Sequence, residues 1–112
     1  MISYERLTIF DKEFKKLLKK YRSLENDLSI LKESLEIFPL GQSNNSEIVH
    51  DAGNIKIVKS RFFCRYLRGS TLRIVYAYHQ VENRICFMEI YFKGEKENED
   101  RERIKEYLRE FE

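Results

Sequence analysis

NIKIVKSRFFCRYLRGSTLRIVYAYHQV, residues 54–81, is the stretch whose reading decides the fold. It holds six cations, Lys56, Lys59, Arg61, Arg65, Arg68 and Arg73, and no Asp or Glu. The spaces between them are filled by Ile55, Ile57, Val58, Phe62, Phe63, Tyr66, Ile74, Val75, Tyr76 and Tyr78. Aromatic and β-branched residues at this density read as strands. The formal net charge of the whole chain is only +2, so the positive charge is a local concentration. The pattern predicts strands over residues 55–60 and 62–67, continuous or joined by a bulge, a turn at 68–71, and a strand over 72–79. After a turn at 80–83, residues 84–92 read as a further strand. Connections this short require antiparallel pairing, because a parallel crossover takes a dozen residues or more.

Upstream, residues 3–10 read as a short strand, and Asp11 is placed to cap a helix. Phe10, Phe14, Leu17, Leu18 and Tyr21 follow at helical spacing, then Ser23 as a second cap. Leu24, Leu28, Leu31, Leu35 and Phe38 form a second stripe, which Pro39 ends. Residues 40–53 are polar and glycine-bearing and read as a loop, with at most a brief extended piece at 47–50. Downstream, residues 93–97 leave the sheet, Asn98 is a candidate cap, and Ile104, Tyr107, Leu108 and Phe111 form a last apolar stripe. The expected fold class is α+β in a single domain, residues 1–112: N-terminal strand, helical hairpin, antiparallel β-meander and C-terminal helix. In the two-layer form all three helices cover one sheet face and leave the basic face open.

With 42% apolar and 13% aromatic residues, the chain can build a core. Cys64 and Cys86 lie in apolar, strand-like runs and read as buried free thiols of a reducing compartment. No apolar run reaches the length of a membrane span, and residues 1–6 carry no signal-peptide core, so a cytoplasmic location is expected. His50 and His79 lack partners at metal-ligand spacing, and no Walker, dinucleotide or G-x-S-x-G motif occurs, so no metal and no cofactor are expected. Lys12, Lys15, Lys16, Lys19, Lys20 and Arg22 form a second basic run, broken only by Glu13, whereas the C-terminal stretch is rich in acids. What remains is Arg, Lys and Tyr. Guanidinium groups fork onto phosphate and aromatic rings stack on bases, which suits single-stranded RNA. Metal-free cleavage is chemically open to such a face, by attack of a ribose 2′-hydroxyl on the adjacent phosphate.

The opening Tyr4-Glu5-Arg6-Leu7-Thr8-Ile9-Phe10-Asp11-Lys12-Glu13-Phe14-Lys15-Lys16-Leu17-Leu18-Lys19-Lys20 resembles the start of RelE/ParE-superfamily toxins, a short strand followed by a lysine-rich helix. Leu72-Arg73-Ile74-Val75-Tyr76 resembles their Y-R-[IL]-[VL]-Y strand. Ile90-Tyr91-Phe92-Lys93-Gly94-Glu95-Lys96 resembles the strand leading into their basic terminal segment. The resemblance implies the toxin of a type II toxin–antitoxin system. RelE-like members cleave mRNA on the ribosome, ParE-like members inhibit DNA gyrase, and a cognate antitoxin wraps the toxin in a hetero-oligomer. It implies catalytic roles for Arg73, which matches the strand arginine at the scissile phosphate, and for Arg65 and Lys96. Lys59, Arg61, Arg68, Tyr76 and Lys93 are then RNA-binding residues, and Tyr91 and Tyr107 are candidates for the terminal aromatic role. The sequence departs from the family at two places. It ends Leu108-Arg109-Glu110-Phe111-Glu112, without a terminal His or Tyr, and arginines replace the pre-turn lysines. Arginine stays protonated and makes a poor general base. The alternatives to an mRNA endoribonuclease are a ParE-like gyrase inhibitor and a non-catalytic relative that binds antitoxin or RNA.

Overall fold

Two strands are apolar on both faces, and the sheet is built around them. These are β4 (Leu72–His79) and β5 (Arg84–Phe92), adjacent and antiparallel. Near-continuous apolar runs of this kind belong in the middle of a covered sheet. The computed structural model describes residues 1–68 and 72–112. In chain order the other elements are β1 (Ser3–Arg6), α1 (Thr8–Leu18), α2 (Leu24–Ile37), β2 (Ser46–Ala52), β3 (Ile55–Phe62) and α3 (Arg101–Arg109). The five-stranded sheet has the order β1-β5-β4-β3-β2. β2 to β5 run antiparallel, as their short connections require, whereas β1 lies parallel to β5. No helix among the described residues is long and apolar enough to cross a membrane.

Several local expectations are corrected. The first strand stops at Arg6 and α1 begins at Thr8, not after residue 10. Leu7, Phe10 and Phe14 then share one helical face, and Phe10 and Phe14 are buried in the core. Asp11 sits in the first turn of α1 and pairs with Arg6 and Lys15 instead of capping it. Ser23 does stand at the N-cap of α2, but its hydroxyl donates to the Asp27 carboxylate, not to a backbone partner. The supposed loop at 40–53 contains the edge strand β2. Its exposed Glu47, His50 and Asp51 hide it in the sequence, yet Gly53 and Asn54 form a two-residue turn into β3. Gly53 adopts φ +77° there. β3 ends at Phe62, so no strand covers 62–67. Cys64 lies beside Ser23, and the Arg65 N–H donates to Asp27, which carries this segment towards α2. The turn expected at 68–71 falls, at 69–71, outside the described residues. Asp100, not Asn98, caps α3 by accepting from the Arg103 N–H.

The helices do not share one face. α1 and α2 set Phe10, Phe14, Leu24, Leu28 and Leu35 against Val58, Phe62, Ile74, Tyr76 and Phe87. α3 sets Ile104 and Tyr107 against Ile57, Val75, Ala77, Cys86 and Met88, on the opposite face. A bulge in β5 decides which of its residues each face receives. The partner of Val75 is Glu89 and that of Tyr76 is Phe87, so Met88 is the extra residue. The shift lets Phe87 and Ile90, three apart, both face the helical hairpin, and turns Glu89 and Tyr91 to the α3 side. α3 is fixed by Arg103, which clasps Glu13 of α1 with both nitrogens (3.0 and 2.9 Å) and donates to the Met88 carbonyl.

At its far end α3 is held by His79, which is 1% exposed. The Arg84 guanidinium, which can only donate, lies 3.2 Å from Nδ1, so Nε2 carries the proton towards the Tyr107 oxygen at 2.5 Å. Burial, then the Arg84 charge, hold the imidazole below its usual range, with Glu82 and Glu5 opposing. The unfolded chain therefore takes up a proton as pH falls through the ordinary histidine value, and the folded chain resists. Stability should drop on acidification from about pH 7 to about pH 5, and urea midpoints for His79→Phe should drop less over this interval. Equal acid sensitivity in the two proteins would show that His79 is not the group responsible.

Candidate nucleic-acid interface

α3 covers only part of its sheet face. Where β3 ends and β4 begins, the face carries a cleft of about 300 Å³ lined by Lys59, Arg61, Arg73 and Lys93, with Ser43, Asn44, Asn45, Ser46, Glu47 and Ser60 completing the wall. Strand alternation puts residues 59, 61 and 73 on one side of the sheet. Register sets them in rows: Arg61 lies directly across from Arg73, which lies across from Tyr91, and Lys59 shares the next row with Val75 and Glu89. The wall is brought in by the Arg61 N–H, which donates to the Asn45 carbonyl (2.8 Å), and by the Ser46 and Ser60 hydroxyls. Gly41 makes the approach possible. It adopts φ +78°, and a Cβ there would collide with the Ser46 side chain.

Two arginines directly opposite each other across a strand pair repel. Both are always charged, and a phosphate bridging them converts the repulsion into attraction. Arg61 is exposed, and Arg73 is half-buried with one guanidinium nitrogen donating to the Leu72 carbonyl (3.1 Å). Lys93 is exposed at the rim.

The remaining residues expected from the sequence are placed differently. Lys59 is 3.1 Å from Glu99 and 3.4 Å from Glu47. Burial opposes its charge, but Glu99 outweighs this and holds the ammonium above the usual lysine range. Lys96 is paired with the buried Glu89. Tyr76 is fully buried and its hydroxyl donates to the Pro39 carbonyl (2.9 Å), so it is a core residue and offers no surface to RNA. Arg65 lines a different cavity with Asp27, Ile30, Phe63, Cys64 and Leu67, outside the cleft. Arg68 is exposed. Tyr107 is buried under α3, whereas Tyr91 lies in the Arg61–Arg73 row with its ring beneath Lys96.

Three acids escaped the sequence reading. Glu47 sat in a supposed loop, and the Gly53-Asn54 turn was the signal that could have placed it on a strand. Glu89 is the single acid of the apolar run Arg84–Phe92, a signal that could have marked it as buried, whereas Glu99 lay among Glu95, Glu97 and Asp100, and only the fold separates it from them.

No known protein family matches the sequence, and no curated protein matches it. Among solved structures, a chain of the archaeal RelE–RelB complex from Pyrococcus horikoshii OT3 is similar, with a TM-score of 0.63 and 13% identity. The match covers 83% of this chain and 96% of that one. At this identity the shared property is the architecture, and the chain has the RelE/ParE-like α+β fold.

Proposed function

We propose that this chain is the toxin of a type II toxin–antitoxin pair, and that it acts on RNA by holding a phosphate between Arg61 and Arg73. The observation that carries the reading is that facing pair, set in a cleft that also holds Lys59 and, at the rim, Lys93. The likeness to a chain solved as a RelE–RelB complex supports a protein partner of the antitoxin kind. Exposed Ile30 and Phe63, which line one cavity with Leu67, support one as well, because they give a partner a contiguous apolar surface. In the finer form of the reading the substrate is mRNA on the ribosome. The 2′-hydroxyl attacks the adjacent phosphorus, the bond to the 5′ oxygen breaks, and a cyclic phosphate is left. Arg61 and Arg73 stabilise the charge added to the phosphate oxygens. Glu47 is the carboxylate in the cleft wall able to take the hydroxyl proton, and the departing 5′ oxygen takes its proton from water.

A second reading, an RNA or antitoxin binder without cleavage, is favoured by one observation: Lys59 and Lys96 are both neutralised by acids. Induced expression in bacteria separates the readings. The toxin reading expects growth arrest with shortened transcripts, arrest relieved by Arg73→Ala, and binding without cleavage in Glu47→Gln. Arrest with intact transcripts and inhibited gyrase would replace it with a ParE-like activity. Undiminished arrest by the Arg73 variant would remove that residue from the site.

A further inference from the structure

The segment joining β5 to α3, residues 93–100, crosses the same sheet face as the cleft, where two buried carboxylates lie, Glu99 of the segment and Glu89 of β5. Glu99 is 5% exposed at its side chain and lies 3.1 Å from the Lys59 ammonium. Burial disfavours its charge, but its own N–H, Lys59 and Arg101 outweigh this and hold the carboxyl below the usual range. Glu89, at 2% side-chain exposure, takes Lys96 on one oxygen and the Asp100 N–H on the other (2.9 Å). Between the two pairs lies Tyr91. Its hydroxyl is buried and has no hydrogen-bond partner among the described residues. An unmet donor of this kind is costly, and burial pushes the hydroxyl up, so it remains protonated and ready to donate.

Lys59 is the ammonium of this group that lines the cleft, within reach of a phosphate bound there, and a carboxylate is the side chain that best imitates a phosphate edge. We infer that Glu99 is an autoinhibitory contact: it fills the Lys59 subsite in place of an RNA phosphate, and a strand held by Arg61 and Arg73 displaces it with its neighbouring phosphate. The inference rests on the reading of this face as RNA-binding. Displacement requires only rotation of the Glu99 side chain, because α3 is held separately by the Arg103–Glu13 clasp and by Ile104 and Tyr107. The resting protein thus has a weakened grip on RNA, and a longer strand that reaches Lys59 relieves the block.

The test is the salt dependence of binding to an unstructured single-stranded RNA oligonucleotide, for the native protein, Glu99→Gln, Glu97→Gln and Glu99→Gln/Lys59→Gln. Removing Glu99 leaves Lys59, among the described residues, only the exposed Glu47 at 3.4 Å, so binding should tighten severalfold, up to about tenfold, at low salt, and the slope of log K against log salt should steepen by up to about 0.7. Glu97 is exposed and unpaired among the described residues, so Glu97→Gln removes the same charge without freeing Lys59 and should leave the slope as it was. The double variant should lose the whole gain. Glu99→Asp, which keeps the charge but shortens the reach, should show a partial gain and guards against misfolding of the Gln variant. An equal gain in Glu97→Gln, or no gain in either Glu99 variant while native binding still depends on Arg73, overturns the clamp alone. Absence of RNA binding by the native protein and by both Glu99 variants overturns the clamp and the RNA reading together.

Discussion

Replacing Arg61 and Arg73 together by Ala is expected to weaken binding to single-stranded RNA by about 100-fold or more at low salt. Each guanidinium–phosphate contact is a hydrogen bond to a charged group, worth about 1.5–3 kcal/mol, so losing two gives at least about 3 kcal/mol. The loss should also flatten the salt slope by about 1.4, twice the value for one phosphate on a single strand. Both effects belong to this pair because the register puts the two side chains directly opposite each other on the α3 face. Fluorescence anisotropy over a salt series measures affinity and slope at once. A weakened Kd with an unchanged slope would mean that the arginines shape the cleft without touching phosphate. Thermal unfolding is the control: Arg61 is exposed, whereas Arg73 is half-buried and donates to the Leu72 carbonyl, so binding is compared only at temperatures where both proteins are folded.

Phe87→Ala is expected to destabilise the fold by about 3–5 kcal/mol, the usual range for emptying a buried aromatic site. That is a large part of the roughly 5–15 kcal/mol that holds a domain of this size together. Phe87 is fully buried. Its ring stacks on Tyr4 of β1 (5.9 Å) and Phe10 of α1 (5.6 Å) and meets Tyr76 of β4 edge-on (6.2 Å). Its carbonyl also accepts from the Leu7 N–H, at the point where β1 turns into α1. One side chain therefore joins the first strand, the first helix and the centre of the sheet. Urea unfolding at neutral pH measures the loss, and a change under about 1 kcal/mol would show that neighbouring rings close the cavity.

The parts of the fold that depend on near neighbours in sequence could be read from it. The stripes Phe10–Phe14 and Leu24–Leu28–Leu35 gave the helical hairpin, and the apolar runs around Val75 and Phe87 gave the antiparallel pair. The parts that depend on distant neighbours could not. Nothing local says that Ser3 will pair with Arg84, or that α3 will take the face opposite α1. Tyr76 was misjudged because a strand buried on both faces shows no alternation by which inward and outward residues can be told apart. β2 was missed for the reverse reason, since an edge strand with outward Glu47, His50 and Asp51 looks like a loop. At the site, the positions of Arg61 and Arg73 on one face follow from strand period. The neutralisation of Lys59 and Lys96 does not, because Glu99 and Glu89 reach them only through the bulge at Met88 and the docking of α3.

The pairing of β1 with β5 also bears on the order in which the molecule can be made. β1 leaves the ribosome before β5 and has no partner until β5 follows, and until then β4 has an unpaired edge. Contacts of such long sequence separation close late and slowly. Arg73 faces Arg61 as soon as β3 and β4 pair, but the row is completed by Tyr91, and the clasp of Glu13 by Arg103 comes later still. A partly synthesised chain therefore displays basic strands with open edges, a state prone to association with other chains. Such a chain has a practical need for something to cover those edges during its own translation.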